Sequence, residues 1–207
     1  MGHGLNHMIL FVSFQEDPDI PDEEHLYIVD VGFGGANITA PLPMHPGSTA
    51  KGALDETHRL TYRSHPRSSL ELQEGSEEEK VLPPMGTEYV LSYSVPERLS
   101  WRAMYSFNCA EGFAEDYASL HYATCLQKDL FTKNILLARY IEKSQEEPLG
   151  RATLFNNSFK RRILNEEEKY IKMTDEKHRI EVLREEFGLL DLPDDAEEII
   201  KQKAMSL

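Results

Sequence analysis

The chain has 207 residues, the length of one domain or one and a fraction, with 40% apolar residues and a formal charge of −14. That charge argues against a phosphate-backbone binder, which needs a basic face, so no nucleic-acid partner is expected. No apolar run approaches the ~18 residues of a membrane span, no signal peptide is expected because no basic region followed by a long apolar one is present, and two cysteines are too few for a disulfide scaffold. The default expectation is a cytoplasmic protein with no membrane association.

His7 to Phe14, HMILFVSF, reads as a buried strand, and Leu26 to Val31, LYIVDV, as a second one closed by Gly32. The eleven residues between them hold Pro18 and Pro21 and read as a surface loop, so the two strands form an antiparallel pair. GFGG at 32–35 is a glycine-rich turn, and 36–58 reads as irregular backbone. A short strand pair is expected over 59–73, and charged residues 74–80 read as a solvated tip.

Strands are expected at Tyr89 to Val95 and Trp101 to Phe107, the latter with Trp101, Ala103, Tyr105 and Phe107 on one face. A short helix is expected at Ala114 to Leu120, then strands at Asn134 to Tyr140, Phe155 to Arg161 and Lys169 to Met173. Asp175 can cap a helix that ends at Gly188, and Asp194 to Met205 reads as a last, polar helix. The fold class is therefore α+β: a β-rich, barrel-like domain with a mixed or antiparallel sheet, followed by C-terminal helices. The expected division is a barrel-like domain over 1–110 and an α/β, lid-like region over 111–207.

His7 heads the first strand and Asp30 ends the second. If the intervening loop closes symmetrically, residue 12 faces 25, 11 faces 26, and His7 faces Asp30. A carboxylate there would fix the imidazole tautomer and leave the other ring nitrogen free as a base, two thirds of a nucleophile–His–Asp set. The plainer alternative stays open: a histidine at a strand end is more often structural, and an aspartate before a glycine turn is commonly a cap. The remaining histidines show no metal-ligand spacing, CxxC and HExxH are absent, and GFGG is not a dinucleotide fingerprint, so no metal is assigned.

The stretch HMILFV, LYIVDVGFGG and APLPM resembles the arylamine N-acetyltransferase family. The YSF at 105–107, Asp116, Tyr122, FTKN at 131–134 and LREEFGL at 183–189 extend the similarity over nearly the whole chain. The resemblance implies a cysteine-protease-like acyltransferase fold and a Cys–His–Asp triad that passes an acyl group from acyl-CoA to an arylamine. His7 and Asp30 fall on the family's histidine and aspartate, and Phe33, Gly34 and Gly35 on the turn bordering the acyl and amine pocket. Acyl-CoA is implied as a cosubstrate, with no permanently bound cofactor. Cys125 and Lys128 lie where the family meets CoA, although CLQKD replaces the expected hydroxyl-rich run and His121 replaces a common asparagine.

The family's nucleophile lies in an RGGxCxE-like segment ahead of the histidine, and only MGHGLN precedes His7. Cys109 and Cys125 match no nucleophile motif and are expected to be small buried hydrophobes. Four readings follow: an acyltransferase relative without its nucleophile and inactive alone, with a protein partner covering exposed core; a truncated form of an active N-acetyl- or N-malonyltransferase; a non-catalytic protein binding CoA or arylamines; and an unrelated β-barrel.

Overall fold

The structure, a computed structural model, describes residues 7–13, 26–65, 87–96, 98–122, 124–125, 131–144 and 147–203. The expected loop at 15–25, the strand at 70–73, the charged tip at 74–80 and Lys128 lie outside the described residues. The described residues form an α+β fold of three antiparallel sheets with few helices. They divide into two compact units: Met8–Glu111, and Gly112–Leu207 with the segment Met1–His7.

The unit Met8–Glu111 holds two sheets. The first is β1 (Leu10–Ser13), β2 (Leu26–Val29) and β3 (Leu42–Pro43), in that order. The second runs β4 (Thr49–Lys51), β5 (Thr57–Ser64), β6 (Thr87–Val95) and β7 (Arg98–Phe107). Residues 36–58, expected as irregular, thus contribute two very short strands and the start of a third. Their prolines and glycines keep β3 and β4 to two and three residues. The β-branched and aromatic residues of β5 and β6 suit a pleated surface, buried on one face in β5 and on both faces over 88–92 in β6. Ile28, Ile38, Leu42, Leu60, Tyr89 and Leu91 form the core, with Met104, Tyr105 and Phe107 packed against it.

The first strand, expected to be buried, is largely exposed, with Leu10 at 48% and Phe11 at 38%, and two further expectations about this unit are corrected. First, Phe11 pairs with Ile28 and Leu10 with Val29, a register two residues away from the symmetric one. A slip of two preserves the face of every side chain, so the buried Ile28 tolerates it, and equal division of the loop does not decide the pairing. The ladder begins at Leu10 and therefore does not set His7 opposite Asp30. Second, Tyr105 pairs with Leu91 but Ala103 with Ser92, so a β-bulge sits at Met104. The extra residue reverses the alternation. Tyr105 and Phe107 join the core cluster, whereas Trp101 lies on the opposite face with the Arg59 guanidinium 4.1 Å from its ring centroid.

The other unit is built on a meander of β8 (Leu136–Ser144), β9 (Glu147–Phe155), β10 (Ser158–Ile163) and β11 (Lys169–Lys172). The strand expected over 155–161 is instead a hairpin. Asn156 takes a φ of 52°, which turns the chain between β9 and β10. The α1 helix (Ala114–Tyr122) has no buried residue. The α2 helix (Glu176–Phe187) has the expected ends: the Asp175 carboxylate accepts the His178 N–H at 2.9 Å, and Gly188 closes it at φ 70°. Its Val182 and Leu183 join Ala152, Leu154, Phe159 and Met173 in a second core. The α3 helix (Ala196–Lys201) is shorter than the expected Asp194 to Met205, because residues 202–203 already form a turn.

Candidate active site

Asp30 follows β2 and is only 5% exposed, an unusual position for a carboxylate without partners. Its Oδ1 accepts the backbone N–H of Gly32 at 3.0 Å and of Phe33 at 3.2 Å. This wraps the chain around the side chain in an Asx-type turn. Gly34 then takes a φ of 106°, and a Cβ there would meet nothing within 4 Å, so the turn demands glycine for its conformation and not for space. The carbonyl of Asp30 is fixed as well: Asn37 Nδ2 donates to it at 2.7 Å. Asn37 is itself buried.

Aromatic side chains flank this turn. The Phe33 and Tyr105 ring centroids lie 4.8 Å apart. From Tyr105 the array continues to Phe107 at 6.1 Å, and Phe107 stacks on Tyr89 at 5.3 Å. Tyr89 and Tyr62 share a hydroxyl–hydroxyl bond of 3.0 Å. Burial pushes the Tyr105 phenol well above the usual tyrosine range, and the neighbouring Asp30 carboxylate adds to the shift because it disfavours a phenolate. Val31, between Asp30 and the glycines, is 91% exposed.

The arrangement is a fixed carboxylate at a strand end beside an aromatic wall. Such a carboxylate can hold an imidazole in one tautomer, and such a wall can accept a flat ring. Among the residues singled out in the sequence, Asp30, Phe33, Gly34 and Gly35 lie together in this turn. His7 is half-buried, precedes β1, and groups with the other unit. Cys125 also belongs to that unit, and its sulfur lies 3.5 Å from His121 Nδ1.

The cysteines are not the buried hydrophobes expected. Cys109 is exposed and Cys125 is intermediate, because neither falls on a core-facing strand position. Partial enclosure of the Cys109 sulfur nonetheless pushes its thiol up, away from the thiolate. Among the described residues there is no group of three His, Cys, Asp or Glu side chains able to hold a metal. No helix among them is long and apolar enough to cross a membrane.

Sequence reasoning missed three neighbours of this turn: Asn37, Tyr105, and the buried His58, whose Nε2 lies 2.9 Å from the Ala36 carbonyl. Tyr105 carried a signal, an aromatic in an alternating strand. Asn37 and His58 carried none, since one sits in an irregular stretch and the other is one of eight histidines.

A family model described as N-acetyltransferase matches residues 2–195. The N-malonyltransferase FDB2 of Fusarium pseudograminearum is 26% identical over 194 residues, covering 90% of this chain and 51% of the relative. The chain thus spans about half the length of that curated relative. The Mycobacterium marinum arylamine N-acetyltransferase superposes with a TM-score of 0.61 at 22% identity, over 89% of this chain and 54% of the other. The same enzyme in complex with CoA superposes with a TM-score of 0.60 at 21% identity, with the same coverage of both chains. At these identities the structural likeness is one of fold. Taken with the match of the family model to almost all of the sequence, it places the chain: it belongs to the arylamine N-acetyltransferase family.

Proposed function

We propose that the chain carries the base-and-orienter half of acyl transfer from an acyl-CoA to an arylamine, on the barrel-like part of a cysteine-protease-like fold. His7 acts as the base and Asp30 as the carboxylate that sets its tautomer. Phe33, Gly34 and Gly35 border the pocket, and Cys125 and Lys128 are the candidates for contact with CoA. The observation that supports this reading best is the Asp30 turn, a buried carboxylate held at both its side chain and its carbonyl. The CoA complex of a structural neighbour supports an acyl-CoA as cosubstrate.

We infer that neither cysteine is the nucleophile, because neither Cys109 nor Cys125 stands in an RGGxCxE-like segment. A thiol raised by burial holds little thiolate near neutral pH, which disfavours Cys109. The 207 residues alone are therefore inactive in arylamine acylation. Acetyl-CoA or malonyl-CoA with aniline should give no anilide above the buffer rate, and turnover lost on His7→Ala would refute inactivity.

The base itself is tested with an external thiol. In that exchange, 2-mercaptoethanol gives its proton to His7, its sulfur attacks the thioester carbonyl, and the carbon–sulfur bond to CoA breaks. The leaving CoA sulfur takes the proton back. Acetyl transfer to 2-mercaptoethanol should exceed the buffer rate and fall to it in His7→Ala and Asp30→Asn. A rate that those substitutions leave unchanged would overturn the assignment.

The aromatic wall beside Asp30 favours a second reading, a protein that binds arylamines or CoA without reacting. Calorimetry separates the two: heat on adding aniline or CoA, with no thiol exchange, supports binding alone.

A further inference from the structure

We propose that Asn37 and His58 are positioning residues that lock the Asp30 turn from beneath; this rests on the reading of Asp30 as the orienting carboxylate. Asn37 is 2% exposed and His58 is fully buried. Their bonds meet at two adjacent residues, Ala36 and Asn37. His58 Nε2 lies 2.9 Å from the Ala36 carbonyl, and since a carbonyl only accepts, Nε2 carries the proton and donates it. One residue on, Asn37 Nδ2 donates to the Asp30 carbonyl at 2.7 Å. The core strand β5, which carries His58, is thereby joined through Ala36 and Asn37 to the residue whose carboxylate gathers the Gly32 and Phe33 N–H groups.

The surroundings of His58 show that this placement is built. A Cβ on Gly52 would lie 2.5 Å from His58 Cε1 and 2.9 Å from Nδ1, so the ring occupies the place of a side chain there. The following 3-10 turn (Ala53–Asp55) holds Leu54 at φ 58° and Asp55 at φ 57°, two successive non-glycine residues in the left-handed region. Such strain persists only where the surroundings over-determine it. The turn is closed by Gly52 N–H to the Glu56 carbonyl at 2.8 Å and by Glu56 N–H to the Ala53 carbonyl at 3.1 Å. The missing side chain at Gly52 makes room for one imidazole, whose donor meets the loop that follows Asp30.

The lock is a statement about the Gly32 and Phe33 amides, so amide hydrogen exchange by NMR on the 207-residue chain reads it without any assay of activity. Asn37→Asp keeps the shape but loses the donor; His58→Phe keeps a ring but loses the donor. Each should speed exchange at Gly32 and Phe33 by about tenfold, the scale of one lost buried hydrogen bond, while Leu60 and Leu91 keep their protection. His58→Gln, which retains a terminal N–H, should recover most of the loss. In the thiol-exchange reaction the same donor-lacking variants should lower kcat and leave KM for acetyl-CoA unchanged.

Unchanged protection at Gly32 and Phe33 in both donor-lacking variants overturns the proposal. So does loss that spreads to Leu60 and Leu91 in every variant, which marks the two residues as merely structural. Altered protection in a protein whose wild type shows no thiol exchange leaves the lock standing and removes the catalytic reading of Asp30 instead.

Discussion

The rings of Phe33 and Tyr105 meet with their centroids 4.8 Å apart and their planes tilted by 54°. One ring comes from the turn that follows Asp30 and the other from β7, so the contact ties the exposed edge of the turn to the sheet that carries the core. Phe33 is 38% exposed, and its contribution to stability is correspondingly limited. Phe33→Ala should cost about 1 kcal/mol in urea unfolding, the scale of an aromatic pair. It should weaken aniline binding by a larger factor than it weakens CoA binding. Calorimetry with both ligands checks this, and equal losses would detach Phe33 from the aromatic wall.

Tyr105 predicts a pH dependence whose sign is fixed. Its phenol is raised by burial and then by Asp30, so the fold keeps the neutral form beyond the point where an unfolded tyrosine ionises. The stability this contributes is complete below the ordinary tyrosine value near 10 and is lost as pH rises through the higher folded value. Tyr89 acts in the same direction, through burial and its bond to Tyr62. The urea midpoint should therefore fall between about pH 9 and pH 11. It should fall less steeply in Tyr105→Phe, and a midpoint insensitive to pH in that window would contradict the buried phenols.

What was legible in the sequence was local. Asp175 and Gly188 announced both ends of α2 because a cap is a contact between near neighbours in the chain. The existence of β1 and β2 followed from composition, but their register did not: a two-residue slip leaves every side chain on its face, and apolar patterning cannot distinguish the alternatives. The bulge at Met104 was invisible for a related reason. A strict period of two placed Trp101 with Tyr105, and one inserted residue put them on opposite faces. The Asn156–Asn157 turn had a sequence signal in its paired asparagines, which the apolar residues on either side masked. At the site, the Asp30–Gly35 segment could be read as a motif. Its anchors Asn37 and His58 could not, since a hydrogen bond across 22 residues leaves no trace in spacing.

The glycine at position 150 should be irreplaceable for a steric reason alone. It lies in β9 opposite Ile163, and an added Cβ would come within 2.1 Å of the Arg162 carbonyl oxygen and 2.9 Å of Ile163 Cα. Both are backbone atoms of β10 and cannot rotate away. Gly150→Ala should cost at least about 1–3 kcal/mol, the range for overpacking a closed site. Gly188→Ala makes a useful control, because a Cβ there meets only the Arg139 Nη1 at 3.9 Å and the cost comes from φ. Chemical unfolding of the two variants should rank Gly150→Ala as the more damaging.

The ion pair of Glu176 and Arg179 makes the sharpest prediction about the C-terminal unit. Both side chains are buried, one turn apart on α2, and the guanidinium Nη2 meets the Glu176 Oε2. Burial pulls the Arg179 pKa down while Glu176 opposes that shift, so each charge is tolerated because the other is present. Removing one partner deprives the other of a buried counter-charge, a loss of about 3–5 kcal/mol. Replacing both by apolar groups removes the desolvation cost along with the attraction. Arg179→Met and Glu176→Leu should each lower the unfolding midpoint strongly, and the double variant should be more stable than either. A double variant as unstable as the sum of the singles would mean that the two residues act independently, each through partners other than the ion pair.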